Sequence, residues 1–119
     1  MVRKLLLISI TIIIIDRITK LLAETKVNTG AAFSLFQGYN SFLIIISIIV
    51  VLVILYYRNH SQQIALGFLL GGTVSNLIDR IFYNGILDFI HLIYWNTNIA
   101  DLSNIVAALL LVKYFWKNP

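Results

Sequence analysis

The residue that most demands a chemical role in this sequence is Asp88. It interrupts the run Ile86–Ile90, in which every other residue is apolar and no base is adjacent. A lone carboxylate in such surroundings loses hydration, so it requires a partner or a task. If this segment folds back over the rest of the chain, Asp88 can meet Asp101. Two close carboxylates share a proton. The ionised member of such a pair can activate a water molecule, while the protonated member gives its proton to a carbonyl or a leaving amine. The chemistry predicted is that of an aspartic protease.

The sequence lacks the residues that other kinds of catalysis need. The sequence has no cysteine, which excludes a thiol nucleophile, thiolate metal ligands and disulfides. Its two histidines, His60 and His91, are separated by a predicted membrane span, and neither a His-Glu-x-x-His zinc motif nor a Gly-x-Ser-Gly serine-protease motif occurs. We therefore expect no metal and no cofactor, and we expect water to be the nucleophile.

The polar residues at two predicted helix ends also have structural interpretations. Asp16 and Lys20 are four residues apart and can form a helix-end salt bridge, with Arg17 reaching outward. The sequence from Asn98 to Asp101 fits a capping box, in which Asn98 caps a helix and the Asp101 side chain returns to the Asn98 amide. These roles remain open beside the catalytic one.

Small residues and a polar end mark the third apolar segment. Gly67 and Gly71 are four residues apart, a spacing that lets another membrane helix approach closely, so this segment is predicted to be the packed centre of a bundle. Asn76, Asp79 and Arg80 follow and are expected to end the helix and anchor it at the membrane surface.

The elements that position these residues are dictated by composition. Of 119 residues, 60% are hydrophobic and only 12% are charged, with a mean hydropathy of +0.90. Soluble domains are about a quarter charged, so a soluble enzyme is excluded. A span needs about 20 apolar residues, which leaves room for four spans and no second domain. The predicted spans are residues 4–23, 41–57, 61–78 and 99–116. The mixed aromatic and polar segment 81–97 is expected to lie along the membrane interface.

The charge distribution predicts the orientation of this bundle. Four spans put both termini on one side, and the bases on that side have no acidic neighbours, which is typical of the cytoplasmic face. All five acidic residues fall on the other side. The net charge of +4 is spread along the chain without a basic run, so we expect no nucleic-acid partner.

Taken in order, five motifs resemble the signal peptidase II family of bacterial lipoprotein signal peptidases. They are Asp16-x-x-x-Lys20, Asn28-Thr-Gly-Ala-Ala-Phe-Ser34, Gly71-Gly-x-x-x-Asn76-Leu-Ile-Asp79-Arg80, Gly85-Ile-Leu-Asp88-Phe-Ile90 and Asn98-Ile-Ala-Asp101. The resemblance covers nearly the whole chain. It implies an all-α membrane fold of four transmembrane helices, with a small extracytoplasmic β-cradle at about 24–38 and an interfacial half-helix and loop at about 81–97.

The resemblance also assigns roles to particular residues. It implies that Asp88 and Asp101 are the catalytic dyad. By the same resemblance Asn28, Asn76, Arg80 and Asn98 bind substrate or support the dyad, while Asp16, Lys20 and Asp79 give structural polar support. This sequence departs from the family pattern at Ser75, which replaces a frequent glycine, and at Thr97, which replaces a frequent phenylalanine.

The function implied is removal of signal peptides from diacylglyceryl-modified prolipoproteins, by cleavage before the lipid-bearing cysteine. The resemblance further implies a multi-pass protein of the bacterial cytoplasmic membrane whose site faces outward, with prolipoproteins, membrane lipid and globomycin-like inhibitors as partners. We expect the chain to act as a monomer. From the residues alone, a small transporter or proton-conducting bundle and a non-catalytic membrane scaffold stay open.

Overall fold

Four helices and two small sheets make up the fold in the computed structural model, which describes residues 2–30, 36–92 and 96–119. The helices are α1 (Arg3–Leu22), α2 (Asn40–Tyr56), α3 (Gln63–Tyr83) and α4 (Ile99–Lys117). The strands are β1 (Lys26–Asn28), β2 (Ile86–Asp88), β3 (Ile90–His91) and β4 (Asn96–Thr97). β1 pairs with β2 and β3 pairs with β4, both antiparallel.

Helix α3 lies at the centre of the fold and packs against the other three helices, as its small residues predict. A Cβ atom on Gly67 would lie 2.8 Å from Cβ of Ile8 in α1, and one on Gly72 would lie 2.5 Å from the Ala100 carbonyl oxygen in α4. Because both distances are below van der Waals contact, only glycine permits these approaches. The apolar core between the helices contains Leu5, Ile54, Leu66 and Leu70.

The distribution of side chains is the reverse of that in a soluble protein. Large apolar side chains such as Leu22, Phe82 and Trp116 are exposed, whereas Asp16, Asp79 and Asp88 are completely buried. Within the described ranges, α3 and α4 are long and apolar enough to cross a membrane. Helix α2 is apolar but has 17 residues, and α1 has 20 residues but includes three charged side chains near its end.

The structure corrects the prediction for the third span and the interfacial loop. Helix α3 continues past the predicted end at residue 78 to Tyr83, where Asn84 takes a left-handed conformation with φ of 56°. No half-helix occurs in the described part of 84–97, which instead forms β2, β3 and β4. The predicted β-cradle at 24–38 contributes only β1 among its described residues, and its second strand is β2. Residues 31–35 of the cradle and 93–95 of the loop lie outside the described residues.

Candidate active site

Asp88 and Asp101 are brought to the same end of the bundle by two different elements. Asp88 is the last residue of β2 and is completely buried, while Asp101 lies in the first turn of α4 and is 4% exposed. Asn98 connects them. Its amide Nδ2 donates a hydrogen bond of 2.7 Å to Asp88 Oδ1, and its Oδ1 accepts one of 2.8 Å from the Asp101 backbone N–H. One side chain therefore fixes the start of α4 relative to the Asp88 carboxylate.

The surroundings of Asp88 favour its neutral form. Burial, and then the negative charge of Asp101, raise the pKa of Asp88 to about 6. The amides of Asn98 and Asn28 and the Lys20 ammonium oppose this shift and lower the pKa. Oδ2 of Asp88 is buried, and no described residue donates a hydrogen bond of ordinary geometry to it. Its pKa makes this carboxyl a group that can take up or give a proton near neutral pH.

The Asp101 carboxylate is held by α3. Oδ1 of Asp101 accepts a 2.8 Å hydrogen bond from Nδ2 of Asn76. The capping-box prediction is confirmed for its first half, because Asn98 caps α4 through the Asp101 N–H. In the described structure the Asp101 side chain bonds to Asn76 rather than returning to the Asn98 amide. Asp101 is thus free of the capping role that the sequence allowed.

A buried cluster of charges lies beneath the two aspartates. Lys20 Nζ is 2.7 Å from Oδ2 of both Asp16 and Asp79, so the predicted Asp16–Lys20 pair forms, but deep within the bundle. Arg17 was predicted to reach outward. It instead points toward the cluster. Its Nη2 atom lies 2.7 Å from Asp79 Oδ1, and its Nε lies 3.2 Å from the Ser75 hydroxyl. The reason is that two buried carboxylates need two cations to balance them.

Arg80 and Asn28 contact the described part of the loop between β1 and α2, residues 29–30 and 36–39. Arg80 donates to the Gly30 carbonyl at 2.9 Å and to Asn40 Oδ1 at 3.2 Å, so it ties this loop to the start of α2. Asn28 Oδ1 accepts from the Gly30 N–H at 2.8 Å and from Gln37 Nε2 at 2.7 Å. Sequence reasoning did not identify Asn40, although a buried amide at the first position of an apolar helix is an unusual placement.

A cavity of about 270 Å³ opens beside Asp101. Its polar wall contains Asp101, Asn76 and Arg80, and its apolar wall includes Leu43 and Ile46 of α2. A second, largely apolar cavity of about 570 Å³ lies toward the other end of the bundle. The two cavities are neighbours, since Val50 and Leu69 line both, and we refer to them together as the groove along α2, α3 and α4. All nine predicted site residues are buried at one end of this bundle, and three of them, Asn76, Arg80 and Asp101, line the polar end of the groove.

The same arrangement of sequence and fold occurs in known proteins. A family model described as "Signal peptidase (SPase) II" matches residues 24–117. The chain is 32% identical to the lipoprotein signal peptidase of Clostridium novyi, with 86% of this chain and 90% of the relative covered. It is 29% identical to that of Halothermothrix orenii, with 93% and 94% covered.

Two solved structures share the fold. One, titled as a bacterial membrane enzyme structure at 2.3 Å resolution, superposes with a TM-score of 0.86 at 26% identity and covers 96% of this chain and 88% of its own. A second bacterial membrane enzyme structure, at 1.9 Å, superposes with a TM-score of 0.81 at 24% identity, with 97% and 94% covered.

Proposed function

The chain belongs to the signal peptidase II family, which makes it a membrane-embedded protease, and on that premise we propose that it removes signal peptides from diacylglyceryl-modified prolipoproteins. Cleavage occurs before the lipidated cysteine. The relatives' name, lipoprotein signal peptidase, supports this substrate class. The catalytic groups that we propose are Asp88 and Asp101.

The observation that carries this proposal is the Asn98 bridge from the Asp88 carboxyl group to the backbone of Asp101, a second buried acid. Asn98 bonds to the Asp88 side chain and to the Asp101 backbone, and the pKa of Asp88 is raised to about 6. Structural carboxylates are usually paired with cations, as Asp16 and Asp79 are here. Asp88 has no cation within salt-bridge distance among the described residues and sits under the influence of a second acid. This environment supports proton transfer rather than structural support.

In the proposed reaction, one aspartate of the dyad is ionised and the other is protonated. The ionised carboxylate takes a proton from water as the water oxygen bonds to the scissile carbonyl carbon, and the protonated acid hydrogen-bonds the carbonyl oxygen. The resulting tetrahedral intermediate collapses with rupture of the C–N bond, and the leaving amine receives a proton from the dyad. We assign Asn76 and Asn98 the task of keeping both carboxyl groups in place during these transfers.

The groove supplies a site for the apolar part of the substrate. We propose that the signal segment lies along α2, α3 and α4, with Val50 and Leu69 in its path, and that the scissile bond reaches the polar wall beside Asp101. Arg80 and Asn28, which contact the loop between β1 and α2, bear on substrate binding through that loop. An extended backbone near this wall can accept hydrogen bonds from asparagine amides, which orients its carbonyl.

The membrane arrangement is part of the proposal. We infer four transmembrane helices with both termini in the cytoplasm, a site that faces outward from the bacterial inner membrane, and a monomeric enzyme open to globomycin-like inhibitors. All five acidic residues lie outside the predicted cytoplasmic side, which supports this orientation. Reporter fusions at each terminus and in the 58–62 turn test it. An outward C-terminal reporter would contradict the four-span arrangement.

The deciding experiment compares Asp88→Asn and Asp101→Asn with the matched control Glu24→Gln, which neutralises an exposed acid just after α1. Each purified protein is incubated in detergent with a diacylglyceryl-modified prolipoprotein, and cleavage is followed by gel shift. We expect both dyad variants to fold and to lose cleavage by at least 10³-fold, since removal of either member of an acid–base unit abolishes its action. The control should retain wild-type cleavage. Retained activity in either dyad variant would contradict the assignment.

A transporter or proton-conducting bundle would need ionisable groups along the depth of the membrane. Within the described residues, the buried ionisable side chains instead gather at one end, and the rest of the groove is lined mainly by apolar residues such as Val53 and Leu111. This distribution favours hydrolysis at one surface. Proton flux into liposomes by a protein that cleaves no prolipoprotein would reverse the preference.

A further inference from the structure

Two buried carboxylates outside the proposed dyad accept hydrogen bonds from backbone N–H groups, one beside each dyad member. Asp79 Oδ2 accepts a 3.0 Å hydrogen bond from the backbone N–H of Leu87, the residue before Asp88. Asp16 Oδ1 accepts a 2.9 Å hydrogen bond from the backbone N–H of Ala100, the residue before Asp101. The two catalytic segments, β2 and the start of α4, are therefore each anchored to a carboxylate on another helix.

Lys20 joins these two anchors. Its Nζ lies 2.7 Å from Asp16 Oδ2 and 2.7 Å from Asp79 Oδ2, and it donates a third bond of 3.2 Å to Asn76 Oδ1. That third bond orients the Asn76 amide so that its Nδ2 faces Asp101 Oδ1 at 2.8 Å. An amide has one acceptor side and one donor side, so a donor on Oδ1 fixes which end of Asn76 points at Asp101.

We propose that Lys20 is a positioning residue of the active site, whose ammonium group fixes the separation and orientation of Asp88 and Asp101. The proposal rests on the proposed function. Lys20 is connected to Asp88 through Asp79 and the Leu87 amide. It is connected to Asp101 by two routes. One passes through Asp16 and the Ala100 amide, and the other passes through Asn76. It is 5% exposed, so its geometry is set by the bundle rather than by solvent. Substrate does not need to touch it.

The Lys20 charge also acts on protonation of the dyad. The proposed dyad consists of Asp88 from β2 and Asp101 from α4. The ionisable groups around it are Asp16, Arg17 and Lys20 from α1, Lys26 from β1, and Asp79 and Arg80 from α3. Lys20 is the cation that lowers the pKa of Asp88, against burial and Asp101, which raise it. Lys26 is opposite Asp88 in the strand register, but its side chain is exposed. Removal of the Lys20 charge therefore favours the protonated form of Asp88.

Arg17 provides a matched control because it contacts the same two carboxylates as Lys20 but lacks the Lys20 bond to Asn76. Its guanidinium lies 3.2 Å from Asp16 and 2.7 Å from Asp79, but its remaining hydrogen bonds are to the hydroxyl and the carbonyl of Ser75. It makes no contact with Asn76 among the described interactions. A purely structural role for the cluster predicts that loss of either cation has the same consequence. The positioning role predicts that only loss of Lys20 changes the catalytic pH profile.

The test measures kcat, KM and their pH dependence for the wild type, Lys20→Gln, Lys20→Arg and Arg17→Gln, with folding checked by thermal unfolding in detergent. We expect Lys20→Gln to lose about a hundredfold in kcat, the cost of misplacing reacting groups by about 1 Å, with little change in KM. The limb of its pH profile that reports titration of Asp88 should move to higher pH. Lys20→Arg should lose kcat while that limb stays in place, because the charge is kept and the geometry is not.

The outcomes separate this proposal from the function on which it rests. Wild-type protein that fails to cleave a lipidated prolipoprotein contradicts the proposed function. Wild-type cleavage together with unchanged kcat and pH profile in Lys20→Gln overturns the positioning role. An upward shift of the Asp88 limb in Arg17→Gln equal to that in Lys20→Gln also overturns it. If Lys20→Gln does not fold, Lys20→Arg decides alone: reduced kcat at unchanged KM supports the proposal, and wild-type kcat refutes it.

Discussion

Replacement of Gly72 by alanine should impair the active site without unfolding the protein. Gly72 faces the first turn of α4, and a Cβ atom there would lie 2.5 Å from the Ala100 carbonyl oxygen. Its other close neighbour is the Asn104 side chain, which can rotate away, whereas the Ala100 carbonyl belongs to the helix backbone. The main strain therefore falls on the turn that carries Asp101.

The expected displacement follows from the distances. The contact is about 0.9 Å short of the 3.4 Å at which ordinary van der Waals contact begins. Overpacking costs about 1–3 kcal/mol, while alanine gains about 1 kcal/mol over glycine within a helix. The net loss of stability is thus about 0–2 kcal/mol, which most membrane bundles tolerate. A shift of α4 by nearly 1 Å moves Asp101 relative to Asp88, and misplacement of that size costs about a hundredfold in rate.

Gly67→Ala is the control, because its Cβ would lie 2.8 Å from Ile8 Cβ on α1, away from α4. Both variants are compared by thermal unfolding in detergent and by the rate of prolipoprotein cleavage. We expect similar small changes in unfolding temperature, but a loss of cleavage rate only in Gly72→Ala. Equal rates in the two variants would refute the argument that the close α3–α4 approach sets the position of Asp101. So would a rate loss in Gly72→Ala that matches its loss of folded protein.

Two further predictions concern Asp88 and Asn98. The pKa of Asp88 is raised in the folded state from its usual 3.8 to about 6, so the neutral carboxyl stabilises the fold fully below about pH 4 and this contribution, about 3 kcal/mol, is lost as pH rises through 6. Asp88→Asn should therefore be more stable than the wild type at pH 8, and chemical denaturation at pH 4 and pH 8 checks whether the difference shrinks on acidification. Asn98→Ser keeps an acceptor for the Asp101 N–H and loses the amide donor to Asp88, so we expect near wild-type stability, a shift to higher pH of the limb that reports Asp88, and at least tenfold slower cleavage. Asn98→Ala should additionally lose about 1 kcal/mol of stability with the helix cap. Equal stability of the Ser and Ala variants would contradict the inference that the Asn98 amide oxygen caps α4 while its nitrogen serves Asp88.

The helices were predictable because each depends on a local run of apolar residues. The predicted spans 4–23, 41–57 and 99–116 differ from α1, α2 and α4 by at most one residue at each end. The third span was predicted to stop at 78 because Asp79 and Arg80 are costly in a membrane. The helix continues because both side chains are buried against partners from α1, α2 and the loop after β1.

What the sequence could not supply is the pairing of distant segments. β1 and β2 are separated by more than 50 residues, and their register of Asn28 opposite Ile86 depends on contacts that no local pattern encodes. The inward turn of Arg17 is of the same kind. A cation at a helix end is ordinarily free to reach water, and its direction here depends on the Asp79 carboxylate of another helix. The candidate site residues nonetheless stand out by type, because polar groups in apolar runs are rare.

The burial of so many polar groups at one end of the bundle also explains how a lone carboxylate is tolerated there. Asp16 and Asp79 are matched by Lys20 and Arg17, so the cluster beneath the site is electrically balanced and can be buried at moderate cost. Asp88 and Asp101 lie outside that balance, with amide donors from Asn98 and Asn76 in place of ion pairs. Amides hold a carboxyl group in position in either state and favour the charged form less strongly than a direct ion pair would. The proposed dyad passes a proton back and forth, so it is better held by asparagine than by lysine, and the cations of the cluster act on it one step removed.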